Sequence, residues 1–178
     1  MADYASIKQF ILSWEGGYVN HKNDKGGPTN KGVTWSVWSA YARKKGFTPT
    51  ISNLKAITDA QWDEIFTPNY WSPFKASKIL DQNIATLLVD WGYCSGVTTV
   101  IKKVQRYLGL KADGIVGPKT LGAINDADSQ YRLFAALWDL RSKFLSDIVK
   151  RNHSQEVFLT GWMNRLKHIQ YGKIKPNK

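Results

Sequence analysis

Glu15 stands directly before Gly16 and Gly17, and Asp24, Gly26, Gly27 and Thr29 follow closely in the stretch EGGYVNHKNDKGGPT. These residue types place one carboxyl group ahead of a glycine-rich loop that carries a second carboxylate and a hydroxyl. A glutamic acid that keeps its proton near neutral pH can protonate the oxygen of a leaving sugar. Asp24 and Thr29 can then hold a water on the opposite face. Their plainer roles are an Asx-turn started at Asp24 and a strand begun at Thr29.

The element that must position Glu15 is a helix. Tyr4, Ile7, Ile11 and Trp14 recur at spacings of three and four, an amphipathic stripe. Gly16 or Gly17 can stop it in the left-handed conformation, which places Glu15 in the last turn. The negative end of the helix dipole disfavours an anion there, and packing near Ile11 and Trp14 desolvates it; both effects raise a carboxyl pKa. Lys25-Gly26-Gly27-Pro28 reads as a tight turn, with hairpin composition from Val19 to Val33, that can fold the loop back over the helix end.

EGGYVN, then DKGGPT, then NKGVT resembles the signature of glycoside hydrolase family 108, the N-acetylmuramidases that include phage and bacterial lysozymes. The resemblance implies that Glu15 is the catalytic acid. The Glu–Asp–Thr order is similar to the triad of phage lysozymes, which implies roles for Asp24 and Thr29. The Asp-to-Thr gap is one residue shorter than in that pattern, and Thr34 is the other candidate. Downstream, VDWGYCSG, Gln105, Leu108 and DGIVGPKT resemble the predicted peptidoglycan-binding region that accompanies the family. That segment also reads simply as a turn followed by a helix with Pro118 at its first position.

The resemblance spans about residues 8 to 170. It implies a lysozyme-like fold, mostly α with a small β-hairpin, in which two lobes flank a cleft. It divides the chain into a catalytic region over 1–92 and a helical peptidoglycan-binding-like region over 93–178, packed with the first. It implies cleavage of the β-1,4 bond between N-acetylmuramic acid and N-acetylglucosamine, in a phage endolysin. An inverting course follows from the phage resemblance. The rival readings are a lytic transglycosylase and a non-enzymatic basic protein that binds cell wall or nucleic acid.

Helical signals fill the remaining chain. Thr34, Thr58 with Gln61, Asp81 and Ser154 are candidate N-caps, and Gly46 and Gly109 candidate stops. A longer helix after Asp128 turns Leu133, Leu137, Phe144 and Ile148 inward. Sugars stack on aromatic rings, so Tyr18, beside the acid, and Tyr70, Trp71 and Tyr93 are the candidate substrate-binding residues. Trp38 and Trp62 sit on helical stripes and belong to the core.

A formal net charge of +11 favours polyanionic partners, here the glycan strands of peptidoglycan and the anionic wall that holds them. From Arg165 to Lys178 there are five Lys or Arg and no acid. Nucleic acid is not expected as a partner. Cys94 is the sole cysteine, so no internal disulfide can form, and a buried position is expected for it. His21, His153 and His168 lack ligand spacing, so neither a metal nor a cofactor is expected. No apolar run has the length of a transmembrane segment, and the first residues lack the pattern of a Sec signal peptide. The expectation is a monomer made in the cytoplasm that reaches the wall after release, through a holin-type pore or another export route.

Overall fold

Short polar side chains set most of the helix starts in the computed structural model, which describes residues 1–20 and 27–177. In chain order the elements are α1 (Tyr4–Trp14), β1 (Thr29–Asn30), β2 (Val33–Thr34), α2 (Trp35–Lys44), α3 (Ile51–Lys55), α4 (Asp59–Phe66), α5 (Gln82–Ser95), α6 (Val97–Tyr107), α7 (Pro118–Asn125), α8 (Gln130–Arg151), α9 (Glu156–Lys167), β3 (Ile169–Gln170) and β4 (Lys173–Ile174). Thr34 caps α2 and Asp81 caps α5 by accepting from backbone N–H groups two or three residues on. Thr58 and Gln61 close a reciprocal capping box on α4, as Thr50 and Asn53 do on α3. The fold is mostly α with small antiparallel hairpins, as expected.

The chain divides into two compact units. One holds residues 1–13 and 70–178. Its centre is α5, where every residue from Ile84 to Gly92 is buried because α6 and α8 cover the helix. Ile7, Phe10 and Ile11 of α1 are also fully buried. Inside this apolar packing lies Asp90. Its Oδ1 accepts from Nε of Arg165 at 3.0 Å and Nη2 at 2.7 Å, and its Oδ2 faces Nη2 of Arg141 at 2.7 Å. Asp90 is 0% and Arg141 2% exposed, so one carboxylate ties α5 to both α8 and α9 in a dry setting. Burial alone would raise the Asp90 pKa; the two guanidiniums outweigh it and hold the carboxyl below the usual range.

The same helix explains Gly92. A Cβ at that position would overlap the ring of Phe74, itself 1% exposed and unable to swing away. The glycine of the WGY segment is thus a packing requirement.

The second unit holds residues 14–69. Strands β1 and β2 pair with Thr29 opposite Thr34 and Asn30 opposite Val33. The connecting residues Lys31 and Gly32 both have positive φ (46° and 72°), as a two-residue hairpin turn requires. The buried Asn30 donates through Nδ2 to the carbonyls of Leu54 (2.9 Å) and Lys55 (3.0 Å). Trp62 Nε1 donates to Lys31 O at 3.0 Å, and Trp38 Nε1 donates to Asn53 Oδ1 at 2.7 Å. These bonds clamp the hairpin onto α3 and α4, with Trp38 and Trp62 in the core as expected.

Several expectations need correction. A tight turn not anticipated forms at Lys31–Gly32, while the turn expected at 25–28 stays untested because Lys25 and Gly26 lie outside the described residues. Residues 92 and 93 both lie in the continuous helix α5, and the compact units, which are divisions of packing and leave the expected division by role untested, part at 13/14 and 69/70. Ser154 does not cap α9. It lies in a 3₁₀ turn whose first N–H groups face the Asn152 side chain. In α8 the fully inward residues are Leu133, Phe134, Leu137, Arg141, Leu145 and Val149, while Phe144 and Ile148 are half-buried. Cys94 is exposed, not buried. The C-terminal hairpin β3–β4, with Ile169 opposite Ile174, was not anticipated.

Removing the Asp90 charge leaves two guanidiniums without their shared anion. Asp90→Asn is expected to cost about 3–5 kcal/mol in denaturant unfolding. The folded pKa of Asp90 lies below its unfolded value. Its contribution is therefore complete above the ordinary aspartate pKa of about 3.9 and is lost as pH falls through the folded value. Acid unfolding curves of the wild type and Asp90→Asn should converge as pH drops below about 4. Gly92→Ala gains up to about 1 kcal/mol of helix propensity but meets an overpacking cost of about 1–3 kcal/mol, so a lowered Tm is expected.

Candidate active site

Helix α1 ends at Trp14, and Glu15 follows at once, half-buried. Neither Gly16 nor Gly17 adopts the left-handed conformation expected of a helix stop. Both glycines are exposed, and a Cβ on either would meet no atom within 4 Å. Two consecutive glycines end the helix by their cost in helical conformation, about 1 kcal/mol each, and leave open space along the backbone beside the carboxyl group.

Past the glycines the chain turns into the second unit's small sheet. Val19 bridges Thr29, with N–H···O bonds of 2.8 and 2.9 Å in the two directions. Thr29 is therefore brought back beside the segment that carries Glu15, and it begins β1. Its hydroxyl donates to the Gly27 carbonyl at 3.1 Å, which leaves the oxygen lone pairs able to accept. Asp24 lies outside the described residues. Thr34 spends its hydroxyl on the α2 cap, accepting from Val37 N at 3.4 Å.

Tyr18 is half-buried in the same unit, with Lys55 Nζ 4.4 Å from its ring centroid. The ammonium covers one ring face, so a sugar can stack only on the other. Lys55 is held in turn by Asn30, which bonds the Lys55 carbonyl. Nothing in the sequence pattern singles out Lys55. It is one lysine at the end of a five-residue helix, and only the fold carries it to Tyr18.

Another carboxylate of this unit is Glu64. Hydrogen bonds from Lys45 and then Tyr41 hold its pKa below the usual glutamate range. Burial, then its bond to Glu64, pushes the Tyr41 phenol up to about 12. A carboxylate stabilised as the anion is the opposite of a proton donor, so Glu64 does not compete for the acid role.

The remaining expected stacking residues belong to the first unit. Tyr70 closes edge-to-face on Tyr93 at 4.9 Å, and the Arg165 guanidinium lies 5.9 Å from the Tyr93 centroid. Arg165 thus serves both Asp90 and Tyr93. Trp71 is 9% exposed and edge-on to Tyr4 at 5.1 Å, a packed position that leaves little ring for a sugar. Tyr70 and Trp71 end a π-helical turn, Thr67–Trp71, a distortion common at functional sites. Among the described residues no group of three His, Cys, Asp or Glu converges to hold a metal ion.

The DGIVGP segment has a clear local role. Gln105, buried on α6, reaches Asp113 Oδ1 at 2.8 Å, the Ile115 carbonyl at 2.9 Å and Thr120 Oγ1 at 3.1 Å. Its own carbonyl accepts from Gly114 N at 2.9 Å. One amide therefore pins the whole loop, and Pro118 opens α7 at the first position.

The family model "Glycosyl hydrolase 108" matches residues 8–96, and the model "Predicted Peptidoglycan domain" matches residues 99–167. No curated protein matches the chain. Among solved structures it is similar to SagA of Brucella abortus, at 30% identity and a TM-score of 0.77, covering 93% of this chain and 90% of that one. The matched residues take in Glu15 and Thr29 with one model and the Gln105 hub with the other. The chain therefore belongs to the glycosyl hydrolase 108 family, a glycosidase followed by a predicted peptidoglycan domain.

Proposed function

We propose that the chain is a muramidase that hydrolyses the β-1,4 bond between N-acetylmuramic acid and N-acetylglucosamine in peptidoglycan. The observation that carries this reading is the placement of Glu15. It is a half-buried carboxyl group directly at the end of α1, followed by two exposed glycines that no described residue crowds. Glu15 donates its proton to the leaving oxygen. Asp24 deprotonates or orients the attacking water, and Thr29, with lone pairs to spare, accepts a hydrogen bond from that water. Tyr18 offers its uncovered face to a sugar, with Lys55 fixing the ring from behind.

The net charge of +11 supports an anionic wall polymer as substrate. Resemblance of the Glu15-to-Thr29 segment to phage lysozymes supports an inverting course and an endolysin role, with release to the wall from the cytoplasm. Inversion requires the acid and base carboxyl groups about 6.5–9.5 Å apart, whereas a retaining course needs about 5–5.5 Å. Among the described residues no helix is long and apolar enough to cross a membrane.

Glu15→Gln is expected to lower the clearing rate of a purified peptidoglycan suspension on the order of 10²–10⁴-fold, with an unchanged Tm. Clearing at the wild-type rate would remove Glu15 from the chemistry. Asp24→Asn is expected to cost less than Glu15→Gln in the same assay. Mass spectra of the products should show reducing N-acetylmuramic acid ends. Anhydro-muramic ends as the main product would replace hydrolysis with transglycosylation.

A further inference from the structure

Helix α8 carries a second stripe beside its core stripe. Tyr131, Phe134 and Trp138 fall at i, i+3 and i+7, and the C-terminal hairpin brings Tyr171 against them. Together with Asp139 and Lys167 they line a groove of about 370 Å³, wholly within the first unit. Tyr131 is 61% and Tyr171 36% exposed, an unusual display of two aromatic rings side by side.

The rings are held in place. The Tyr171 hydroxyl donates to Asp81 Oδ2 at 2.8 Å, and its ring meets Tyr131 at 5.3 Å and Phe134 at 5.4 Å, both edge-to-face. Trp138 Nε1 donates to the Leu166 carbonyl at 3.2 Å, which fixes the indole against α9. Such rings lose little freedom when a ligand stacks on them. Exposed Asp139 and Lys167 supply an acceptor and a cation at the groove.

We infer that this groove is a wall-binding site, separate in sequence from the Glu15 segment, which holds a glycan strand bearing carboxylates. Tyr131, Tyr171 and the half-buried Trp138 take the apolar faces of the sugars, with the buried Phe134 backing them. Asp139 accepts from hydroxyl or acetamido groups. Lys167 pairs with a lactyl or peptide carboxylate, within a stretch from Arg165 to Lys178 that has five Lys or Arg and no acid. Five of the six lining residues argued here fall within residues 99–167, the part matched by the predicted peptidoglycan domain. The inference rests on the proposed peptidoglycan substrate.

The test is co-sedimentation with purified insoluble peptidoglycan in a Glu15→Gln background, so that the wall persists during the measurement. Tyr131→Ala and Lys167→Gln are each expected to reduce the affinity about fivefold or more at unchanged Tm. The Lys167→Gln deficit should shrink as salt rises, because screening weakens the ion pair in the parent. Tyr107→Ala serves as the control, since that tyrosine is 48% exposed on α6 outside the groove, and it should bind as the parent does. A parent that binds and a wild type that clears peptidoglycan, with groove variants retained equally, would overturn the groove alone. A loss as large in Tyr107→Ala would overturn it too. A parent that fails to bind, from a wild type that fails to clear peptidoglycan, would overturn the substrate reading and the groove together.

Discussion

One buried carboxylate between two guanidiniums organises the larger unit. Asp90 lies on the most buried helix, Arg141 on α8 and Arg165 on α9, so three helices share one electrostatic centre. A buried charge is tolerable only when it is paired and hydrogen-bonded. That condition permits little variation in how α8 and α9 lie against α5. The consequences spread outwards. Arg165 also lies by Tyr93, and Tyr93 meets Tyr70 in the π-helical turn. Leu166, the next residue on α9, supplies the carbonyl that fixes Trp138. The positions of Tyr93 and Trp138 thus both trace back to Arg165 and its place on α9.

Among the described residues the smaller unit has no such charge centre, and its hairpin is held by donors aimed at backbone carbonyls. Asn30 bonds two carbonyls at the end of α3, and Trp62 bonds a carbonyl in the hairpin turn. Each bond joins a residue of the hairpin to a helix distant in sequence. This suits a unit whose strands are only two residues long, where ladder bonds alone cannot fix the sheet. The segment that follows Glu15 is built onto this clamp. Thr29 starts the strand that Asn30 anchors, and Lys55 follows the Leu54 carbonyl that Asn30 also holds.

Local signals in the sequence were legible where the physics is local. Thr34, Thr58 with Gln61, and Asp81 cap helices as read, because a cap depends only on the next three residues. Ser154 failed because Asn152, two residues earlier, draws in both its N–H and its hydroxyl, each of which donates to Asn152 Oδ1. The long-range features were not legible. Asp90 sits in VDWGYCSG with nothing beside it to announce two arginines more than fifty residues away. Lys55 looks like any exposed lysine until the hairpin brings Tyr18 beneath it. The Lys31–Gly32 loop was not singled out in the sequence, where the whole stretch from Val19 to Val33 has hairpin composition. The pair with positive φ at both positions, Lys31–Gly32, formed the two-residue loop.

The glycines divide between two kinds of need, and the division separates fold from chemistry. Gly92 is required because Phe74 occupies the space a side chain would take. Gly16 and Gly17 have no such neighbour among the described residues and no unusual φ, so neither the described packing nor backbone conformation demands them. A residue pair that weakens a helix end without filling a packing role reads as serving something outside the fold. Beside a half-buried carboxyl group, the benefit is access. Under the proposed function, two residues without side chains leave the backbone next to Glu15 uncovered by side chains of their own.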